Sequence, residues 1–374
     1  MTDVIVQTEG LEKRFRTGGG LLRAATIIHA VNGVNLSVRR GETFAIVGES
    51  GCGKSPLARL LLRLIEPSAG RVIYDAQDLT ALPAPAMRAL RSQMQFIFQD
   101  PFSSLNPRMT AASIVGEPLL VHTDLSAQAR RDRVAETLQK VGLRREMADR
   151  FPNEFSGGQR QRVAIARALV AGPKLLIGDQ PVSALDVSVQ AQIVNLLEDL
   201  KADFGLTLIM IAHDLAVIRH MSDRVAVMYL GEVVEQTATE ALFRSPRHPY
   251  TQALLQAVPG PAPGPGPTVV RQLLAGDLPS PANPPPGCKF HKRCPFATGI
   301  CSRDRPVLEE AAAGHQVACH HHKTIPVLPP AADPTRGRTA GAEKRFALWR
   351  DQSARRMAQT TPTNPDETDK ETAR

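Results

Sequence analysis

The sequence predicts an α/β fold of the P-loop type, and three observations carry that expectation. The first is Gly48-Glu49-Ser50-Gly51-Cys52-Gly53-Lys54-Ser55, a complete G-x-x-x-x-G-K-[ST] motif. It follows the apolar run Thr43-Phe44-Ala45-Ile46-Val47 and opens the helical pattern Leu57-Ala58-Arg59-Leu60-Leu61-Leu62. Its glycines let backbone N–H groups turn inward on a phosphate tail, its lysine supplies a long cation, and its serine offers a hydroxyl to magnesium. The second is Leu175-Leu176-Ile177-Gly178-Asp179, which reads as a buried parallel strand ending in a carboxylate. The third is a helix through Ile193-Val194-Asn195-Leu196-Leu197 that leads to another apolar strand, Leu206 to Ile211.

Composition sets the outer bounds. With 374 residues, 43% of them apolar and 22% charged, the chain can bury at least one full-sized core and carry a smaller appendage. The apolar run Leu206 to Ala212 is too short to span a bilayer, and Met1-Thr2-Asp3 does not open a signal peptide, so a cytosolic location is expected. A net charge of +8 points to an anionic membrane surface or a basic tail ahead of nucleic acid. In that compartment the five cysteines argue against disulfides.

In chain order, residues 4–47 alternate like short strands around the turn at Gly18-Gly19-Gly20 and form a small β layer. Phe15 within it is either a core residue or a ring that stacks on adenine. A turn at Glu66-Pro67-Ser68-Ala69-Gly70 precedes Met94 to Pro101, a strand that stops in a polar loop at Gln99. From Ser113 to Phe151 the pattern is helical and charged, as in 129–138, and reads as an inserted lobe. Phe155-Ser156-Gly157-Gly158-Gln159-Arg160-Gln161-Arg162 then runs into the helix Val163 to Leu169. Ser-Gly-Gly at a helix start makes a second anion-accepting terminus, which one P-loop does not need, so a second molecule enters the reading.

With these motifs in place the chain resembles an ABC-transporter nucleotide-binding subunit over residues 4 to about 250. The resemblance implies a RecA-like core with an antiparallel β subdomain and an inserted α-helical subdomain. It makes Ser156 to Gln159 the signature that closes over the ATP on a partner's P-loop, and Asp179 the Walker B carboxylate. It makes Ser183-Ala184-Leu185-Asp186 the D-loop at the dimer seam, and His213 the switch histidine at the γ-phosphate. Lys54 would hold the β/γ-phosphates; Ser55, Asp179 and Gln99 would surround Mg2+, with Gln99 also placing the attacking water and linking to the transmembrane partner.

Two positions depart from that pattern. Gln180 stands where the family has a glutamate that polarises water, and an amide cannot take the proton; loss of a general base costs on the order of 10²–10⁴ in rate. Pro56 disfavours helical geometry at Ser55 and removes one N–H donor near the α-phosphate. Both fall on one composite site, so the site built on this P-loop is expected to be impaired while the intact signature serves the partner.

Ser245-Pro246-Arg247-His248-Pro249-Tyr250-Thr251 resembles the C-terminal extension of the oligopeptide and dipeptide importer branch. The proline-rich linker 259–267 is expected to separate off a small module with Cys288, Cys294, Cys301 and Cys319. Four thiols in so short a segment suggest a metal that supplies folding energy. Their gaps of five, six and seventeen residues match no zinc C-x₂-C pair, although His291, His315 and His320 are available as ligands. Thiolates alone suit an iron–sulfur cluster, and the resemblance favours a [4Fe-4S] cluster, with Zn2+ the alternative.

The expected division is thus 1–258 for the nucleotide-binding domain, with its helical subdomain at about 105–165, then 259–322 for linker and four-Cys module, and 323–374 for a disordered tail. In that tail Phe346, Trp349 and Met357 share one face of a helix at 343–357, against the plainer reading of a solvated segment. The resemblance implies an ATP-driven peptide importer: two transmembrane permease subunits, a second ATP-binding subunit and an extracytoplasmic solute-binding protein, with this chain peripheral on the cytoplasmic side of the membrane. A non-catalytic regulatory subunit is the alternative. A DNA-associated ABC ATPase is disfavoured, because only about a hundred residues separate the P-loop from the signature, too few for a long coiled coil.

Overall fold

The chain is described from a computed structural model, which covers residues 3–18, 25–183, 185–257 and 276–327. Val4–Thr17 (β1) and Thr26–Arg39 (β2) form an antiparallel pair, which Ala69–Tyr74 (β4) and Gln77–Asp78 (β5) extend into a four-stranded sheet ordered β2-β1-β4-β5. This is the expected β layer. Alternate residues such as Ile5, Val31, Leu36 and Val72 turn inward because successive side chains point to opposite faces.

The second sheet holds the phosphate-binding machinery. Thr43–Val47 (β3), Met94–Ile97 (β6), Leu175–Asp179 (β7), Thr207–Ile211 (β8) and Arg224–Tyr229 (β9) run parallel in the order β9-β3-β8-β7-β6. Every residue of β3, β7 and β8 is buried, as a strand covered on both faces requires. Helices Lys54–Leu61 (α1) and Ala84–Leu90 (α2) follow β3 and β5. Between β6 and β7 come Pro101–Ser104 (α3), Ala111–His122 (α4), Ala127–Lys140 (α5) and Gly157–Leu169 (α6). The helices α4, α5 and α6 share one apolar cluster with Val187–Phe204 (α7), built on Val115, Leu138, Ile165 and Ile193. The same cluster takes in Ile97, Leu176 and Leu208 of the parallel strands.

Leu215–Met221 (α8) leads into β9, and Glu232–Ala238 (β10) pairs antiparallel with β9 before Thr239–Arg244 (α9) and Pro249–Ala257 (α10). Here one expectation is corrected. The four-cysteine segment does not stand off behind a linker: residues 276–327 form one compact unit with residues 3–257. After Gly299–Arg303 (α11), Glu309–Ala312 (β11) and His315–Val317 (β12) join the main sheet, β12 pairing antiparallel with β10. The outer edge of β10 would otherwise leave its backbone unpaired, and β12 satisfies it. Phe290, 2% exposed, fills an aromatic pocket with its centroid 5.3 Å from Tyr229 and 5.5 Å from Tyr250. The linker 259–267, the tail segment 343–357, the glycines 19 and 20, and Ala184 lie outside the described residues.

Candidate active site

The P-loop turns tightly after β3 because its glycines permit it. Gly53 has φ 106°, and a Cβ there would collide with the Ala30 carbonyl oxygen; at Gly48 a Cβ would lie 2.7 Å from the Cys52 sulfur. Lys54 is 4% exposed and donates to the carbonyls of Gly48 at 2.7 Å and Glu49 at 2.8 Å, so its ammonium sits inside the loop it is expected to serve. Cys52 packs under the loop, where burial pushes its thiol pKa up. Pro56 falls in the first turn of α1, whose N–H groups have no intrahelical partner, and Ser55 is helical all the same. The expected distortion at Ser55 is thus not observed.

The Ser55 hydroxyl donates to Asp179 Oδ1 at 3.0 Å, joining the end of β7 to the start of α1. Asp179 is 2% exposed, and burial raises its pKa although the Ser55 hydroxyl and the charges of Arg59 and Lys54 oppose the shift. The Asp179 carboxylate and the Ser55 hydroxyl together offer two oxygen donors to a hard divalent cation. Gln180 follows in the left-handed region at φ 49°, fixed by its N–H to the Ile211 carbonyl at 2.9 Å and by the Ser183 hydroxyl on its own carbonyl at 3.1 Å. Gln99 Nε2 stands 3.5 Å from Gln180 Oε1, so the loops after β6 and β7 bring these two amides together. His213 is exposed just past β8, ahead of Asp214, whose carboxylate caps α8 at Ala216.

The signature lies at the start of α6. Ser156 Oγ accepts from the Gln159 N–H at 3.3 Å while Gln159 Oε1 accepts from the Ser156 N–H at 3.0 Å, a reciprocal capping box. Ser156 and Gly157 are exposed, and a Cβ on Gly158 would meet Val189 at 2.5 Å. Asp186 is exposed at the start of α7. Phe15 is 36% exposed with Lys13 Nζ 5.2 Å above its ring, which removes the core reading of that residue.

The thiols are less decisive. Burial pushes the pKa of Cys288 up to about 11 and that of Cys319 up to about 12, and in both cases neighbouring thiols push the same way. Cys301 is buried, and its carbonyl accepts from the Cys288 N–H at 2.8 Å. Among the described residues, however, no group of three or more His, Cys, Asp or Glu side chains is placed to hold a metal ion, so the expected metal site is not assembled. Each of the three histidines has one ring nitrogen engaged. His291 Nδ1 lies 2.8 Å from the Cys288 carbonyl, His320 Nε2 is 2.9 Å from the Asp304 carbonyl, and His315 Nε2 is 2.7 Å from Glu235.

Two clusters carry no sign in the sequence. Arg293 pairs with Glu49 of the P-loop, and fully buried Glu235 accepts from the Arg247 and His248 N–H groups. In each the partners come from distant parts of the chain, and an alternating or helical pattern reports only local neighbours.

Residues 31–183 match the family model for the ABC transporter, and residues 234–301 match that for the oligopeptide/dipeptide transporter C-terminal region. An oligopeptide transport ATP-binding protein of Bacillus subtilis, AppF, is 49% identical over 85% of this chain and 97% of its own. The chain belongs to the ABC-transporter ATP-binding proteins of the oligopeptide/dipeptide branch. OppF of Salmonella typhimurium is 53% identical over 78% of this chain and 87% of its own. A solved ATP-binding cassette, dimeric in a post-hydrolysis state with ADP and Pi, is 33% identical and superposes with a TM-score of 0.57 over 63% of this chain and 99% of that one. The family makes the chain an ABC ATPase of the peptide-transporter type, whose usual ligands are ATP and Mg2+. Among the described residues no helix is long and apolar enough to cross a membrane.

Proposed function

We propose that this chain energises peptide import as a peripheral subunit on the cytoplasmic face of the membrane, and that its own ATP site turns over slowly. The observation that carries the reading is the convergence of Ser55, Asp179, Gln99 and Gln180 at one end of the parallel sheet. ATP phosphates would draw Lys54 away from the Gly48 and Glu49 carbonyls and take the inward N–H groups of the loop. Ser55 and Asp179 would hold Mg2+, which supplies charge neutralisation on the phosphates. Gln99 and Gln180 would orient the attacking water, His213 would reach the γ-phosphate, and Phe15 would stack on the base. The exposed Ser156 to Gln159 terminus, with Asp186, would complete the site of a second ATP-binding subunit.

Because Gln180 cannot accept a proton, the step that needs a base is the one slowed. Gln180→Glu in the full chain is expected to raise steady-state phosphate release at least about tenfold. A non-catalytic regulatory subunit would show no gain; robust turnover by the parent chain alone, abolished by Lys54→Ala, would overturn the reading.

Partners follow from the surface as well as from the family. An open groove of about 310 Å³ near Gln99 is lined by the apolar Leu64, Phe98 and Val121 and by the charged Arg91, Glu117 and Arg167, with Phe98 38% and Val121 46% exposed. A groove of mixed apolar and charged lining next to the Gln99 loop would seat a cytoplasmic segment of the transmembrane permease pair. A solute-binding protein would deliver the peptide outside. Residues 1–258 would form the nucleotide-binding domain, and Cys288, Cys294, Cys301 and Cys319 would carry an iron–sulfur cluster that helps fold their segment. That assignment rests on the resemblance and on four free thiols in one segment, Cys301 buried and the other three half-buried. A cluster spreads its thiolates over several irons, whereas zinc requires them to converge on one point.

A further inference from the structure

The four-cysteine segment reaches the P-loop through a charged side chain, that of Arg293. Arg293, 6% exposed and immediately before Cys294, grips the Glu49 carboxylate with both terminal nitrogens, Nη1 to Oε2 at 2.7 Å and Nη2 to Oε1 at 3.0 Å. Nη1 also lies 3.5 Å from the Tyr229 hydroxyl. The Glu49 N–H donates to the Tyr250 hydroxyl at 2.8 Å, and the Glu49 carbonyl is one of the two that hold Lys54. Glu49 is the residue after the first glycine of the phosphate loop, so its negative charge belongs to the loop that is to receive a triphosphate. An uncompensated carboxylate there repels the phosphates in a partly buried, weakly screened setting, and a bidentate guanidinium cancels it while fixing the geometry of the fork.

We propose that Arg293 is a positioning residue for ATP: it neutralises Glu49 at the start of the P-loop, so that nucleotide affinity depends on the C-terminal segment that presents it. Phe290, three residues earlier, is wedged between Tyr229 and Tyr250 and fixes the backbone from which Arg293 projects. Arg293 does not touch the reacting atoms; it acts through Glu49.

The inference rests on the nucleotide-binding reading of the P-loop, and one titration separates the two. MgATP binding is measured by calorimetry on the full chain, the Arg293→Met variant, the Glu49→Gln variant and the double variant, with circular dichroism and thermal melting to check folding. The Arg293→Met variant is expected to weaken binding at least about tenfold, because it leaves an unpaired carboxylate at the loop. The Glu49→Gln variant is expected to bind at least as tightly as the parent. The double variant is expected to regain most of the affinity lost in Arg293→Met, since the charge that needed cancelling is gone. Should Arg293→Met fail to fold, the Glu49→Gln variant still decides: a fork that served only packing would make it bind more weakly than the parent, which overturns the proposal. Equal affinity of parent and folded Arg293→Met, or a double variant no better than Arg293→Met, also overturns it. A parent chain that does not bind MgATP refutes the nucleotide-binding reading itself.

Discussion

His248 makes the junction between the nucleotide-binding core and the C-terminal segment sensitive to acid. Its Nδ1 accepts from the Tyr250 N–H at 3.1 Å, and its ring packs 5.8 Å from Phe290. Glu235 accepts from the Arg247 and His248 N–H groups and is bound in turn by His315. Burial pushes the His248 imidazole down to about 4, against the opposing pull of Glu235 and a hydrogen bond to the Ala318 backbone. In the unfolded chain the same ring takes up its proton near 6.5. Between those two values the unfolded state holds more protons than the folded one, so acidification favours unfolding. The contribution is fully present above about 6.5, is lost progressively as the pH falls, and is gone below about 4. At about 1.4 kcal/mol for each tenfold change in proton affinity, the gap from 6.5 to about 4 amounts to about 3 kcal/mol. Other groups shift in the same range, and raised carboxylates such as Glu232 act with the opposite sign, so the measurement must be a difference. Urea unfolding of the parent and of His248→Asn, which keeps an acceptor near the Nδ1 position, is run from pH 4 to pH 7. The parent is expected to lose about 3 kcal/mol more than the variant across that range. Parallel profiles, or a variant that loses more than the parent, would refute this account of the junction.

Two further outcomes test other sites. In the assembled transporter, Ser156→Arg is expected to abolish hydrolysis at the partner's site, because it removes the cap on Gln159 and places a bulky side chain where the helix terminus must approach phosphate; transport-coupled phosphate release reads it, and unchanged release would show the signature to be idle. If the four thiols hold an iron–sulfur cluster, anaerobically purified protein is expected to be brown, with iron and sulfide in comparable amounts, whereas one zinc per chain selects the alternative and four freely titrating thiols reject both.

How much of the fold and the site is legible in the sequence depends on the range of the interaction. The P-loop, the strand ending in Asp179 and the capped start of α6 are written in consecutive residues, because turn geometry, strand burial and helix capping are local. The meeting of Gln99 with Gln180 is foreseeable once β6 and β7 are read as parallel neighbours, since both residues then leave the sheet at the same edge. The place of the C-terminal segment is not. A proline- and glycine-rich stretch such as 259–267 has the composition of a spacer, and composition says nothing about whether the chain beyond it returns to the core. The contacts that bring it back are non-local: the unpaired edge of β10 accepts β12, an aromatic pocket lined by Tyr229 and Tyr250 accepts Phe290, and buried Glu235 needs a partner that His315 provides. A buried charge left without such a partner is costly, so these contacts depend on one another. Loss of β12 would expose Glu235 and loosen the turn that carries His248 and Tyr250. Tyr250 in turn holds Glu49, so the C-terminal segment reaches the phosphate loop by two routes, through Arg293 and through the helix that begins at Pro249.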